Sequence, residues 1–75
     1  MMVKEKVFSE VKNILEDMGF EIDSENSSLS YDLGMDSTEM VDFSLSLNEK
    51  YKLNIDSIFL KNARISDVIK KIIEL

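Results

Sequence analysis

The 75-residue sequence predicts an all-α fold: a small four-helix bundle of three longer helices and one short one, with a long loop between the first and second helices. Three observations lead to that class. Apolar residues recur at three- and four-residue steps in three separate stretches. No proline is present to break a long element. The stretch from Phe20 to Met35 has no sustained helical period, so it separates the first helix from the second. Residues 1–75 are expected to form a single domain, one that buries only about 60% of its unfolded surface.

In the first stretch Val3, Val7, Val11, Ile14, Leu15 and Met18 share one face, with Lys4, Glu5, Lys12 and Glu16 elsewhere on the wheel. This is an amphipathic helix ending near Gly19. A core-facing role is expected over a membrane-surface one, because Glu5, Glu10 and Asp17 offset its lysines. The following loop contains Asn26, Ser27 and Ser28, whose side chains favour turns by bonding to nearby backbone. A connection this long needs anchoring, and Leu29 and Leu33, with Tyr31 between them, are expected to pin it to the core.

The second helix is predicted from about Ser37 to Tyr51, with Phe43, Leu47 and Tyr51 at four-residue spacing and Met40 a turn earlier forming the buried face. Val41 and Leu45 fall on another side, near Glu39, Asp42 and Glu49. An exposed apolar pair among carboxylates has the character of a docking surface. Residues Asp56 to Asn62 can form one or two helical turns capped by Asp56 or Ser57. Ile65, Val68, Ile69, Ile72 and Ile73 mark a last helix from about Ser66, whose hydroxyl can cap it. The β-branched residues there make a strand the rival, but the three-one-three-one spacing selects a helix.

Composition removes several functions. With no Cys and no His the chain has no thiolate, no disulfide and neither the commonest general base nor the commonest metal ligand. No catalytic residue and no metal site are expected, and an enzyme is not. A net charge of −6, from 15 acidic and 9 basic residues, opposes binding to nucleic acid or to an anionic membrane and makes basic partners the expectation. Apolar runs of two or three residues provide neither a signal peptide nor a spanning segment, so the chain reads as soluble and cytoplasmic.

The run Asp32-Leu33-Gly34-Met35-Asp36-Ser37 carries the chemistry. It brings a turn to a serine at the head of a helix with an acidic first turn. Asp36 can be the N-cap and Glu39 can complete a capping box, making Ser37 the first helical residue. The same helix end offers free N–H groups and a positive dipole end to a phosphodiester, so capping and phosphate anchoring are compatible. Catalysis by Ser37 is disfavoured for want of a base. The acidic cluster Asp32, Asp36, Glu39 and Asp42 lacks the alternating ligands and central glycine of a calcium loop.

The run DLGMDSTEMVDF, followed by Leu47, Glu49, Tyr51 and Ile55, resembles the acyl carrier proteins, whose signature is Asp-Leu-Gly-x-Asp-Ser-Leu. Length, acidity, the long loop, the serine at the second helix and Ile65-Ser66-Asp67-Val68 extend the resemblance over the whole chain. It implies that Ser37 is esterified by the phosphopantetheine arm of coenzyme A. The arm is transferred by a separate magnesium-dependent phosphopantetheinyl transferase, and its terminal thiol carries acyl groups as thioesters, so the reactive sulfur belongs to the cofactor. Asp36 would position Ser37, and Gly34 would allow a tight approach. Glu39, Val41, Asp42 and Leu45 would form the partner-docking face for acyl-loading and acyl-transfer enzymes with basic patches. The protein is expected to be a monomer.

Three departures from the family pattern point to a specialised carrier. Thr38 replaces the usual Leu, Asn48 reduces the acidity of the second helix, and Lys61 and Arg64 reduce that of the later segment. Met35 and Asp36 before the serine look less like peptidyl carriers, which often have Gly and His there. The expected function is thus an acyl carrier for fatty-acid, polyketide or other secondary-metabolite synthesis. The alternatives are an aminoacyl or D-alanyl carrier, and a non-enzymatic acidic docking module without the arm.

Overall fold

In the computed structural model, which describes residues 3–74, four helices follow one another: α1 (Lys4–Asp17), α2 (Ser37–Tyr51), α3 (Ser57–Lys61) and α4 (Ile65–Ile73). The fold is the all-α bundle that the sequence predicts. Helix α1 packs on α4, α2 packs on α3, and α1 lies more lightly against α2. Among the described residues the sole β feature is an isolated antiparallel bridge between Ser28 and Arg64.

Helix α1 buries Val7, Val11 and Leu15, one residue per turn, with Phe8, Ile14 and Met18 packed along the flank. Val3 was expected on this face, but it is the N-cap and 57% exposed, because it precedes the first turn and lies beyond the core's edge. The helix ends as the sequence indicates. Gly19 takes a left-handed φ of 98° and donates to Glu16 O at 2.9 Å, while Phe20 N–H donates to Leu15 O at 3.0 Å. This pair of bonds satisfies carbonyls that a helix end would otherwise leave unmade, and Phe20 turns back onto the core beside Leu15.

Helix α2 spans the predicted residues and buries Met40, Phe43, Leu47 and Tyr51. Its end is left-handed at Lys52, with φ 58°. Asn48, which from sequence counts as lost acidity, has a structural task here. Its amide nitrogen donates to Ile55 O and its amide oxygen accepts from Ile55 N–H, both at 2.8 Å. The side chain thus replaces a backbone partner for a residue outside the helices and seats Ile55 in the core. In α3, Asp56 Oδ1 accepts from Phe59 N–H at 2.9 Å, which makes Asp56 the cap.

Helix α4 starts at Ile65, with Arg64 as N-cap, so Ser66 is not the cap. The reason is tertiary. Ser66 N–H donates to Glu25 O at 2.7 Å and Ile65 N–H to Ser27 O at 3.0 Å, while Asp67 Oδ2 takes the N–H of Arg64 at 2.9 Å. Ile65, Val68, Ile69 and Ile72 are buried. The long loop is pinned by Ile22, Leu29 and Met35, all buried, with Leu33 half-buried. Tyr31 does not contribute: it is 90% exposed, because it lies in the tight turn that follows Leu29 and points away from the bundle.

One side-chain hydrogen bond joins α1 to α2. The Tyr51 hydroxyl donates to Glu10 Oε1 at 2.6 Å. Burial, and then this hydrogen bond and the charge of Glu10, hold the Tyr51 phenol above its ordinary value of 10.0. A folded-state value raised above the unfolded one contributes stability that is complete below the unfolded value and lost as pH rises beyond it. Tyr51→Phe is therefore expected to cost about 1 kcal/mol at neutral pH. Urea titrations should show this difference shrinking above pH 10, where the exposed Tyr51 phenol of the unfolded wild type ionises and pulls only the wild type towards unfolding; a constant difference would contradict the coupling.

Candidate functional site

The approach to α2 is built from one buried residue and one left-handed glycine. Met35 is buried, and its N–H donates to Leu29 O at 3.0 Å. Gly34 has φ 73°, a region that L side chains enter only with strain. A Cβ on Gly34 would meet nothing within 4 Å, so within the chain its task is conformational and no close packing requires it.

Asp36 is extended at the N-cap and forms a complete capping box with Glu39. Its Oδ1 accepts from Glu39 N–H at 2.8 Å, and Glu39 Oε1 accepts from Asp36 N–H at 2.9 Å. A helix start leaves four N–H groups without intrahelical partners. The box satisfies those of Asp36 and Glu39. The N–H groups of Ser37 and Thr38 are left, beside an exposed Ser37 hydroxyl and at the positive end of a 15-residue helix. Capping therefore uses two of the four donors at this helix end and leaves the other two open.

The model of one family, described as the phosphopantetheine attachment site, matches residues 7–72. The chain belongs to this family. Comparison with curated proteins and with solved structures finds no significant match. The domain is the attachment site of a covalent phosphopantetheine group, a carrier domain and not a catalytic one. Domains of this kind work with a phosphopantetheinyl transferase and with partner enzymes. The helix start fits the group by its donor set: an exposed hydroxyl to esterify and two vacant N–H groups to face the resulting phosphodiester.

The structure brings Gly34, Asp36 and Ser37 together at one end of α2 and spreads the four expected docking residues along that helix. Val41 is 44% and Leu45 61% exposed, and Asp42 is exposed. Glu39 is half-buried and engaged in the capping box, so its carboxylate is shared between folding and surface charge. Sequence periodicity missed Ile58 of α3, which is 71% exposed. A five-residue helix is too short for its faces to be told apart by spacing. Lys61 and Arg64 line an open hollow with Tyr31, Ser30 and Asp32. Among the described residues no group of three or more acidic side chains is placed to hold a metal ion, and no helix is long and apolar enough to cross a membrane.

Because the requirement at Gly34 is backbone conformation alone, Gly34→Ala is expected to cost about 1–2 kcal/mol in chemical denaturation. Gly34→Asn should cost less, since Asn tolerates the left-handed region. Equal losses for the two variants would show that side-chain crowding, not φ, is what excludes alanine.

Proposed function

We propose that this chain is an acyl carrier protein, holding acyl intermediates for fatty-acid, polyketide or other secondary-metabolite synthesis on a phosphopantetheine arm attached to Ser37. The observation that carries the reading is the exposed Ser37 hydroxyl at a helix start where the capping box leaves the N–H groups of Ser37 and Thr38 unused. In the transfer reaction Ser37 Oγ forms a bond to the phosphorus next to pantetheine in coenzyme A. The pyrophosphate P–O bond breaks, and adenosine 3′,5′-bisphosphate leaves. The serine proton goes to a base of the transferase, since this chain has no His. Once attached, the arm supplies the thiol that carries the acyl group. Ser37 holds the arm's phosphate, and Asp36, through its cap, fixes where Ser37 stands.

The exposed Thr38 supports a specialised set of partners. An enzyme pocket lined for Leu would bury its hydroxyl unpaired, at a cost of about 1–3 kcal/mol. That discrimination acts in the complex and not in the fold, because Thr38 is exposed in the first turn of the helix.

Incubation with coenzyme A, magnesium ion and a promiscuous phosphopantetheinyl transferase is expected to add the mass of one phosphopantetheine to the wild type and nothing to Ser37→Ala. An unmodified wild type, or an arm on Ser37→Ala, would overturn the assignment.

Docking through α2 gives a second test. Asp42 makes no structural hydrogen bond, whereas Glu39 holds the N-cap. Asp42→Lys is expected to slow association with the transferase in a salt-dependent way while leaving stability within about 0.5 kcal/mol. Glu39→Lys should slow association and also lose about 1 kcal/mol of stability with the capping box. Unaltered association rates in both variants would move the docking surface off α2.

A further inference from the structure

Two reciprocal clasps stand in tandem before the body of α2. The second is the capping box of Asp36 and Glu39. The first joins Ser28 to Asp32: Ser28 N–H donates to Asp32 Oδ2 at 2.7 Å, and Asp32 N–H donates to Ser28 Oγ at 3.0 Å. Asp32 N–H also lies 3.2 Å from Ser28 O, and Leu33 N–H donates to that oxygen at 3.1 Å. These bonds close residues 28–33 into one turn.

Both ends of the turn are fixed to the bundle. At its start Leu29 is wholly buried and its N–H donates to Ala63 O at 3.1 Å, while Ser30 Oγ donates to Lys61 O at 3.1 Å. Beyond the turn, Met35 is buried and its N–H donates back to Leu29 O. Ser37 follows two residues later. Between the buried anchors Leu29 and Met35 two side chains brace the chain: Ser30, whose hydroxyl donates to Lys61 O, and Asp32, whose carboxylate alone closes the turn on itself.

We propose that Asp32 is a positioning residue for the transfer of phosphopantetheine to Ser37. It makes no contact with Ser37. It holds the 28–33 turn closed, so that Gly34, Met35 and Asp36 deliver the serine in one conformation. The inference rests on Ser37 being the attachment residue. When the turn opens, the share of molecules competent to bind the transferase falls and the apparent KM for the carrier rises by the same factor, while kcat for the bound complex is unchanged. The clasp is exposed to solvent, so its loss opens the turn in part of the population and leaves the helices in place.

A direct charge contact between Asp32 and the transferase would also raise KM, and asparagine separates the two roles. The amide oxygen of Asp32→Asn still accepts from Ser28 N–H but carries no charge. The experiment measures KM and kcat for arm transfer on the wild type, Asp32→Ala, Asp32→Asn and Ser28→Ala, with amide hydrogen exchange at Ser28 and Leu33 read by NMR on the same unmodified samples. Asp32→Ala is expected to raise KM roughly three- to tenfold with kcat within about twofold, and to speed exchange at both amides. Asp32→Asn should restore most of the KM and the protection. Ser28→Ala, which loosens the clasp from its other side, should raise KM by less, since Ser28 O remains as an acceptor. An Asp32→Asn as impaired as Asp32→Ala, or an Asp32→Ala modified like the wild type, overturns this inference alone. A wild type that accepts no arm overturns the attachment reading, and this inference with it.

Discussion

The main-chain seam between residues 25–29 and residues 63–66 is what the rest of this molecule depends on. Ser66 N–H to Glu25 O, Ile65 N–H to Ser27 O and Leu29 N–H to Ala63 O tie the long loop to the start of α4. Ordering such a loop costs roughly 1–2 kcal/mol per residue in backbone entropy. Three side chains along it, Ile22, Leu29 and Met35, are buried, each contributing about 1.5–3 kcal/mol and seating the loop where the seam can form. The seam in turn determines where α4 begins and where the turn before α2 can stand. A domain of this size has too little core to hold such a loop by side chains alone, so the backbone bonds and the buried anchors act together.

The carboxylates divide into two groups by what they touch. Asp32, Asp36, Glu39, Asp56 and Asp67 each accept a backbone N–H at a turn or a helix start. There the negative charge meets unmade donors and the positive end of the peptide dipoles, which makes a single ionised oxygen more useful than an ion pair on the surface. Lys4 and Glu25 form the one ion pair among the described residues, at 2.8 Å and largely in solvent, and it contributes little. Asp42 and Glu49 are exposed on α2 without such a bond and remain available for charge-steered encounter with basic surfaces. The acidic composition thus serves folding directly, with Glu39 taking part in the capping box.

The start of α2 joins a packed frame to an exposed group. Met35 and Met40 are buried on either side of the Asp36 cap, so the serine between them stands on a packed support while its hydroxyl faces solvent. On the reading proposed for Ser37, a hydroxyl presented by a packed helix end offers the same target to each enzyme that reads the carrier. The exposed Val41 and Leu45 lie on the same helix as Ser37.

The three longer helices, their buried faces and the capping box at Asp36 and Glu39 were legible in the sequence, because each follows from local periodicity and from side chains that bond to backbone three residues away. Composition shows that the chain carries no Cys and no His and has a net charge of −6, so no thiolate or imidazole of its own is present. The Asp32-to-Ser37 motif carried the resemblance to the family whose model matches residues 7–72. Tertiary structure alone decided that Ser66 does not cap α4, that Tyr31 points outward, that Asn48 serves Ile55 and that Tyr51 reaches Glu10. Each of these depends on groups from segments that meet only in the folded chain, and a period read along one segment contains nothing about the donors and acceptors that another segment will bring to it.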